Sequence, residues 1–599
     1  MKYTLKLSLF ESLLLGLLSG VLMYLSFPND FPGYHCGLLG FTAFIPLALV
    51  YFSQAKKQIL GATLAFTITF YYFFLSWISR FDPPGLSFPL IVPLIVMALT
   101  VYYFLTALIF KRLSTCFPRH KLWLFPVVFT GLEYLRNLGF LKFPYGILAY
   151  TQYKNLPFIQ MSDITGYLGV SFIMYFFTGC LADYLLLYVF NKNRLAFFKT
   201  KKDYLLNRFS LLVLMTMIIL SYGYYKMHEP VQEKKVKISL LQPWWDFNRS
   251  YSRANREKVL ARMEKLSQRA LTGNPDTSLM VWPESAVNTY YQYYIQRVNR
   301  IPSIKNKIKT GRYLNERDYR ILEAWRYKQL FRKLTAANKK LYLLFGSNGL
   351  EKIKQKIKNA DKNNKKRISF KQAKTKAAPA NRYYYYNRAI MVNNEARMVN
   401  SYAKRHLVPF AEWFPYTDYF PWVKKILDKA HASSFRPGQK LTVFKHPDFN
   451  FSVLICYDDC FDNICRLFVN RGAEVLIIIT NDAWSYSAAS EMNHFILSVF
   501  RAVENRRAVL RSANAGVTCH INSKGEIVKQ APLFRETYLN VNVKTGSAKT
   551  VYSRYGSYPF MVTIAAVLVL LIISFFRKNP LQKKNSPLTI TENKNNENT

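Results

Sequence analysis

The sequence predicts a polytopic α-helical membrane domain joined to a water-exposed α/β domain. Half of the 599 residues are apolar, and they are concentrated before residue 226 and in one run near the end. Between these regions the chain is polar and rich in turns, and short β-rich runs alternate there with helical stretches. A chain with this much apolar sequence is neither disordered nor collagen-like, and its length is ample for a large buried core.

Eight apolar stretches predict membrane-spanning helices, since about 20 apolar residues are needed to cross about 30 Å of hydrocarbon. They lie at 8–26, 37–53, 58–78, 88–110, 122–139, 163–190, 209–225 and 559–576. The first stretch is too long, and too quickly followed by others, for a cleaved signal peptide, and it lacks an A-x-A-like exit. The expected organisation is a seven-helix transmembrane domain at 1–225, a soluble domain at 226–555, an eighth helix at 556–577 and a tail at 578–599.

The basic residues of the short loops predict the orientation, because such residues prefer the cytoplasmic side. They cluster on alternate loops and after the last span: Lys2, Lys6, Lys56, Lys57, Lys111, Arg112, Arg119, Lys121, Lys192, Arg194, Lys199, Lys201, Lys202, Arg208, Arg577, Lys578, Lys583 and Lys584. Both termini are therefore expected in the cytoplasm and the soluble domain on the other side. Long domains translocate whatever their charge, so the basic middle is compatible with this orientation.

The overall charge indicates an anionic partner. Lys and Arg number 82 against 35 Asp and Glu, a formal net charge of +47, which is typical of proteins that bind nucleic acid or lipid headgroups. The predicted compartment disfavours nucleic acid. A basic insertion at about 289–380 is expected to be a solvated, partly disordered surface segment. The alternative is a patch that docks on anionic lipids, where each basic residue contributes about 1 kcal/mol.

The cysteines predict neither a disulfide framework nor a metal site. Their number is odd, seven, and three lie in or beside the predicted spans. Cys456, Cys460 and Cys465 are close in sequence but form no C-x-x-C pair. Because no motif for a metal, a nucleotide or a redox cofactor stands out, we expect that no cofactor is needed.

Short apolar runs from Lys237 onward predict the strands of an α/β layered fold. The runs are KISLLQ, SLMVWPES, KLYLLFGSNG, RAIMVN, FSVLICYD, EVLIIITNDAW and AVLRSANAGVTCHIN. Apolar residues at helical spacing predict helices at 252–271 and 491–507.

Three polar residues at strand exits could carry chemistry together. Glu284 lies in VWPES, Lys404 in SYAKRHLVPF and Cys456 in VLICYDD. A nucleophilic cysteine needs a base for its proton and a cation or backbone donors for the oxyanion that it creates. Taken singly, the Glu and the Lys are more often solvated surface residues and the Cys a small core residue. An ionised lysine beside the sulfur would lower the thiol pKa, whereas apolar flanks alone would raise it.

These motifs resemble those of the nitrilase (carbon-nitrogen hydrolase) superfamily. The resemblance rests on WPES, KRHLVPFAEWFP, ICYDD, NDAW and RAVENRRAVLRSANAGVT, with Glu, Lys and Cys in that chain order. The eight predicted spans, together with EYLRNLGFLKFPYGILAYTQY at 133–153, narrow it to the apolipoprotein N-acyltransferase family.

The resemblance implies an α-β-β-α sandwich on the periplasmic side of the bacterial inner membrane. It also implies transfer of an acyl chain from a phospholipid to the N-terminal α-amino group of the diacylglyceryl-cysteine of an apolipoprotein, with ping-pong kinetics. Cys456 would form the thioester, Glu284 would act as general base and Lys404 would stabilise the oxyanion. Glu412, Tyr457 and Asp458 would support them.

The sequence departs from the family pattern at several loop positions. Asp458 stands where the family usually has Glu, and Ser485 and Tyr486 follow NDAW where Phe-Gly is usual. His494 is interpreted as structural. Two other functions stay open: a membrane-anchored nitrilase-type amidase that hydrolyses its thioester with water, and a basic lipid-binding or scaffold protein with a lapsed site. The latter is disfavoured because all three site residues are intact.

Overall fold

The computed structural model describes residues 5–30, 35–80, 91–139, 142–189, 194–230, 234–245, 253–287, 289–336, 338–352, 383–409, 411–414, 435–483 and 485–576. Most of the lysine-rich part of the predicted insertion and the tail at 578–599 lie outside these ranges.

Apolar helices dominate the first part of the chain. Their bounds are α1 Leu9–Ser26, α2 Ile45–Ser53, α3 Lys56–Phe74, α4 Ile91–Cys116, α5 Lys121–Arg136, α6 Leu156–Ile159, α7 Ser162–Tyr184 and α8 Arg194–His228. Helix α1 begins with a capping box in which Ser8 and Glu11 satisfy each other's backbone N–H groups. It then packs closely on α3 because Gly16 has no side chain. A Cβ there would lie 2.1 Å from the carbonyl oxygen of Ala62.

Five of the described helices are long and apolar enough to cross a membrane. They cover Leu9–Ser26, Ile91–Cys116, Ser162–Leu187, Ser210–His228 and Tyr558–Phe576. The other three predicted spans correspond to shorter or more polar segments. Gly37–Ser53 is a shorter apolar segment, α3 begins with two lysines, and α5 has 16 residues with Pro126 inside. The protein is therefore a membrane protein, while the number of eight spans stays a prediction.

Two six-stranded sheets form the α/β domain. The first has the order β12-β1-β2-β3-β4-β5 and the second β11-β10-β9-β8-β7-β6. The strands are β1 Lys235–Gln242, β2 Leu279–Val281, β3 Tyr342–Lys352, β4 Tyr383–Val392, β5 Met398–Ala403, β6 Val443–Lys445, β7 Asn450–Ile455, β8 Val475–Thr480, β9 Ala508–Ala513, β10 Cys519–Ile521, β11 Ile527–Gln530 and β12 Thr537–Lys544. Strands β1 to β3 are parallel in one sheet and β7 to β9 in the other.

The sheets are the inner layers of an α-β-β-α sandwich, which confirms the predicted fold class. Alternate residues of the first sheet, such as Ile238 and Val281, share a core with Val453 and Ile477 of the second. The other α-helices of the described residues are α9 Arg253–Gly273, α10 Tyr291–Tyr294, α11 Ile301–Lys309, α12 Glu316–Ala336, α13 Asp462–Asn470, α14 Ala488–Asn505, α15 Val551–Tyr555 and α16 Tyr558–Phe576. Residues on the other face of the first sheet form a separate core with α9 and α12.

Helix α12 lies within the segment predicted to be a solvated insertion, yet it belongs to the core. Tyr327, Leu330, Phe331 and Leu334 are buried against the outer face of the first sheet. The basic residues between them occupy the solvent side and hide this apolar face in the composition of the segment. The solvated insertion therefore excludes the stretch up to residue 336.

Polar contacts join the α/β domain to the membrane helices. Arg506 Nη2 lies 2.7 Å from Asp163 Oδ2 at the start of α7. Within α7, Gly166 has φ +67°, so the helix is interrupted and begins again at Tyr167. The Tyr167 N–H that this break leaves available donates to Glu504 Oε1 at 3.0 Å. A carboxylate at a helix start is favourable both as a hydrogen-bond acceptor and for the helix dipole.

Candidate active site

The three predicted reactive residues meet at the carboxyl ends of their strands. Glu284 follows β2, Lys404 follows β5 and Cys456 follows β7. All three side chains are buried, Lys404 with only 1% of its surface exposed. The Lys404 ammonium lies 3.9 Å from Glu284 Oε1, and both groups are near enough to Cys456 for their charges to act on its thiol. Successive members of this group are more than 50 residues apart in sequence, and the order of the strands in the sheets brings them together.

Cys456 occupies a strained turn between strand and helix. Its φ is +48°, in the left-handed region that residues with a side chain rarely adopt. The buried strand β7 ends at the preceding residue, and a 3₁₀ turn runs from Cys456 to Cys460. Such backbone strain costs of order 1–3 kcal/mol and is typical of functional sites.

Two carboxylates share one lysine. Glu412 Oε2 lies 2.8 Å from Lys404 Nζ, closer than Glu284. The side-chain amide of Asn387 donates to Glu284 Oε1 at 2.6 Å and to Glu412 Oε1 at 3.1 Å. The backbone N–H of Asn481 holds the other Glu284 oxygen at 2.9 Å. We call this group the lysine cluster: Lys404, Glu284, Glu412 and Asn387.

The electrostatics of the lysine cluster leave Glu284 able to exchange a proton near neutral pH. Burial raises the pKa of Glu284 to about 7, although Lys404 lowers it, and Glu412 raises it further. Burial lowers the pKa of Lys404, but Glu412, Cys456 and Glu284 outweigh burial and hold it well above its usual value. Burial raises the pKa of the Cys456 thiol, and Lys404 opposes that rise. The resting state is thus an ammonium beside a neutral thiol.

The predicted supporting residues lie in three different surroundings. Glu412 belongs to the lysine cluster, as described. Asp458 lies within the Cys456 turn, where it accepts from Tyr402 Oη at 2.9 Å and from the His406 N–H at 2.8 Å. It thereby ties the loop of Lys404 to the loop of Cys456. The hydroxyl of Tyr457 donates to the carbonyl of Lys142, between α5 and α6, at 2.6 Å, and so points toward the membrane helices.

Asn387 was not identified from the sequence. It lies on β4, directly before the buried RAIMV stretch, and its backbone carbonyl accepts from the N–H of Lys404 at 2.9 Å. An amide side chain beside an apolar strand run is the signal that could have indicated it. Two carboxylates that need a common donor make such a residue necessary, because buried charges must be hydrogen-bonded.

A second ionic group lies beside the Cys456 turn. Asp459, Cys460 and His494 each place a potential metal ligand within 4.8 Å of the others. Arg511 and Ser498 already donate to the Asp459 carboxylate, however. An added cation would meet the positive charge of Arg511, so the residues fit an ion-pair cluster better than a metal site.

The comparisons with known proteins agree with this architecture. The model of the family described as "Carbon-nitrogen hydrolase" matches residues 237–552, and the chain belongs to that family. The model "Apolipoprotein N-acyltransferase N-terminal domain" matches residues 19–180, in the region of the membrane helices.

Curated relatives match nearly from end to end. "Apolipoprotein N-acyltransferase" of Geobacter metallireducens is 29% identical over 572 residues, covering 94% of this chain and 96% of the relative. "Apolipoprotein N-acyltransferase 1" of Treponema denticola is 29% identical over 577 residues, covering 93% and 95%. Among solved structures, Saccharomyces cerevisiae Nit3, a nitrilase superfamily member, is 18% identical, with 55% of this chain and 96% of that chain covered and a TM-score of 0.31.

Proposed function

We propose that the protein is the N-acyltransferase of the last step of lipoprotein maturation. It transfers an acyl chain from a phospholipid to the N-terminal α-amino group of the diacylglyceryl-cysteine of an apolipoprotein. The observation that carries the proposal is a buried Glu284, Lys404 and Cys456 site in a chain that also has membrane helices. The similarity to relatives named apolipoprotein N-acyltransferase extends over both parts and supports it.

In the first half-reaction Cys456 attacks the ester carbonyl of the phospholipid. Glu284 takes the thiol proton, and the Lys404 ammonium stabilises the oxyanion as negative charge develops on the carbonyl oxygen. The ester C–O bond then breaks, and the proton returns from Glu284 to the leaving alkoxide. The products are a lysophospholipid and an acyl thioester on Cys456.

In the second half-reaction the α-amino group of the apolipoprotein attacks the thioester. Glu284 now takes a proton from the nitrogen, and Lys404 again stabilises the oxyanion. The C–S bond then breaks, and Glu284 returns the proton to the sulfur, which regenerates the Cys456 thiol. The new bond is an amide. Two substrates that use one site in turn give ping-pong kinetics.

The lysine cluster explains why Lys404 serves both half-reactions. Glu412 pairs with Lys404 in the resting protein and keeps it protonated. Asn387 donates to both carboxylates and Glu412 pairs with Lys404, so the lysine keeps its position when Glu284 gains a proton. A donor that is already in place needs no reorganisation as the oxyanion forms.

The partners and location follow from the same chemistry. The donor is a membrane phospholipid, the acceptor is a diacylglyceryl-apolipoprotein, and no nucleic acid or cofactor takes part. The protein lies in the bacterial inner membrane with the catalytic domain on the periplasmic side and both termini in the cytoplasm. A site placed against the membrane helices receives long acyl chains from the bilayer and limits hydrolysis of the thioester.

Intact-mass measurements on the purified protein test the proposal. The wild-type protein mixed with phospholipid should gain the mass of one acyl chain. When a diacylated lipopeptide with a free N-terminal Cys is then added, the protein should lose this mass and the lipopeptide should gain it. Cys456→Ala should form no adduct, whereas the control Cys36→Ala, which alters an exposed thiol, should behave as wild type. Equal loss of the adduct without lipopeptide would favour the amidase, and no adduct with any lipid would favour a scaffold.

A further inference from the structure

A buried ionic group links the Cys456 turn to the loop after β8, whose Asn481 N–H donates to Glu284. His494 lies on α14 and contacts two carboxylates, which in turn contact one guanidinium. We call this group the histidine cluster: His494, Asp459, Asp482 and Arg511. Its members are at most 5% exposed.

We propose that His494 is a positioning residue. Its imidazolium connects the Cys456 turn to the loop of Asn481, whose backbone N–H binds Glu284. The inference rests on the proposed roles of Cys456 and Glu284. It concerns how the positions of Cys456 and Glu284 are fixed relative to each other and how the charges around them are balanced.

The hydrogen bonds of His494 define its protonation state. Nε2 lies 2.8 Å from Asp459 Oδ1, and Nδ1 lies 3.1 Å from Asp482 Oδ1. Ionised carboxylates only accept hydrogen bonds, so both ring nitrogens donate to them in the charged form. Arg511 Nη2 also lies near Nδ1, at 3.4 Å, a longer separation than the one to Asp482. Burial lowers the pKa of His494, but the two carboxylates reverse this effect and hold it well above its usual value.

The two carboxylates belong to two different loops, the Cys456 turn and the loop after β8. Asp459 is the fourth residue of the turn that begins at Cys456. Asp482 directly follows Asn481, whose backbone N–H holds Glu284 Oε2 at 2.9 Å. One imidazolium therefore spans the turn of the nucleophile and the backbone group that orients the base.

The histidine cluster also balances charge beside the thiol. Arg511 Nη2 lies 3.6 Å from Asp482 Oδ2, and Arg511 also contacts Asp459. Two cations thus face two anions. Asp482 raises the pKa of the Cys456 thiol, and His494 lowers it. Removing the imidazolium would leave two carboxylates against one guanidinium close to a sulfur that must become anionic.

The other polar groups around His494 do not alter this balance. Cys460 faces it from the same turn. On its own helix, Ser498 donates to Asp459 Oδ2 at 2.7 Å, and Glu491 accepts from Ser485 Oγ at 2.8 Å. Burial and the nearby Asp482 raise the pKa of Glu491 well above its usual value, which favours its neutral form.

Opposite charge changes at the two partners test the proposal. The variants are His494→Gln, Asp482→Asn and the double variant, all carrying Cys36→Ala to remove an exposed thiol. The measurement is the rate of Cys456 alkylation by iodoacetamide between pH 6 and 10, located by peptide mass spectrometry. A second measurement splits kcat from KM for acyl transfer to lipopeptide.

We expect His494→Gln to lower the alkylation rate about tenfold at a given pH and Asp482→Asn to raise it, since the neighbouring charge changes in opposite senses. The double variant should return close to wild type, because the net charge of the cluster is restored. For His494→Gln, kcat should fall about tenfold with KM for phospholipid nearly unchanged.

Shifts of the same sign in both single variants, or an additive loss in the double variant, would show a packing role and overturn the proposal. If His494→Gln does not fold, Asp482→Asn decides alone, and an unchanged or lowered alkylation rate overturns the proposal. Failure of the proposed function is a separate result, because it appears as a wild-type protein that never forms the acyl adduct.

Discussion

The two buried ionic clusters beside Cys456 use similar groups for opposite purposes. In the lysine cluster one ammonium serves two carboxylates, and the pKa of Glu284 rises to about 7. In the histidine cluster two cations face two carboxylates, and Asp482 has a pKa below its usual value because His494 and Arg511 outweigh burial. The lysine cluster has one cation fewer than it has carboxylates, whereas the histidine cluster has equal numbers of both. This difference explains why Glu284 can exchange a proton and Asp482 stays charged.

Glu284→Gln should have the largest effect on activity. The amide keeps the hydrogen-bonding shape but cannot accept a proton, so the base is lost in both half-reactions. Acyl transfer should fall about 10⁴-fold, the upper end for general acid–base catalysis. The measurement is the single-turnover rate of adduct formation.

The matched control for this variant is Glu395→Gln, which alters an exposed glutamate paired with Arg397. It should leave the rate unchanged. A Glu284→Gln rate within tenfold of wild type would remove Glu284 from the role of base and erase the contrast between the clusters.

Arg511→Met should instead act on stability. The guanidinium is fully buried between Asp459 and Asp482, and removing one partner of a buried ion pair leaves charge uncompensated. The free energy of unfolding should fall by about 3–5 kcal/mol. Pulse proteolysis of the detergent-solubilised protein in urea would measure it.

Arg397→Met, at an arginine whose side chain is 77% exposed, is the control. It should change stability by less than about 0.5 kcal/mol. Equal stability of the two variants would mean that the histidine cluster does not depend on its charge balance.

The pH dependence should separate the clusters directly. Glu284 must be deprotonated to accept the thiol proton, so the acylation rate should rise about tenfold per unit below pH 7 and level off above it. Glu412 contributes to the raised pKa of Glu284. Glu412→Gln should therefore move this limb to lower pH.

Single-turnover acylation in buffers from pH 5 to 9 checks both statements. The histidine cluster should add no limb below pH 7, because the pKa of His494 is raised and the pKa values of Asp459 and Asp482 are lowered. If the acylation rate of Glu412→Gln levels off at the same pH as that of the wild type, the explanation that Glu284 and Glu412 share Lys404 is contradicted.

The sequence predicts the reactive atoms better than it predicts their supports. Glu284 and Cys456 could be chosen because each follows an apolar strand run, where a polar side chain is unusual, and Lys404 because it lies in the motif KRHLVPFAEWFP. Asn387 and His494 act by joining loops, and only the sheet order shows which loops meet. Helix α12 was assigned to the solvated insertion for a related reason. Its basic residues dominate the composition of the segment, and only the packing of its apolar face on the sheet shows that this face is buried.

The smallest expected effect concerns Asp458, where the resembled family usually has Glu. The carboxylate is fully buried and accepts from the side chain of Tyr402 and from backbone groups of Ile455, Arg405 and His406. A side chain longer by one methylene cannot keep all of these distances, so Asp458→Glu should cost about 1–2 kcal/mol of stability through overpacking. The carboxylate itself is kept, and it does not touch the reacting atoms, so acyl transfer should fall less than tenfold.

The comparison variant is Asp458→Ala, which abolishes the link between the Lys404 and Cys456 loops. It should lose clearly more stability and more acyl-transfer activity than Asp458→Glu. Equal losses in the two variants would mean that Asp458 only fills space, and that the strained Cys456 turn is held by the histidine cluster alone.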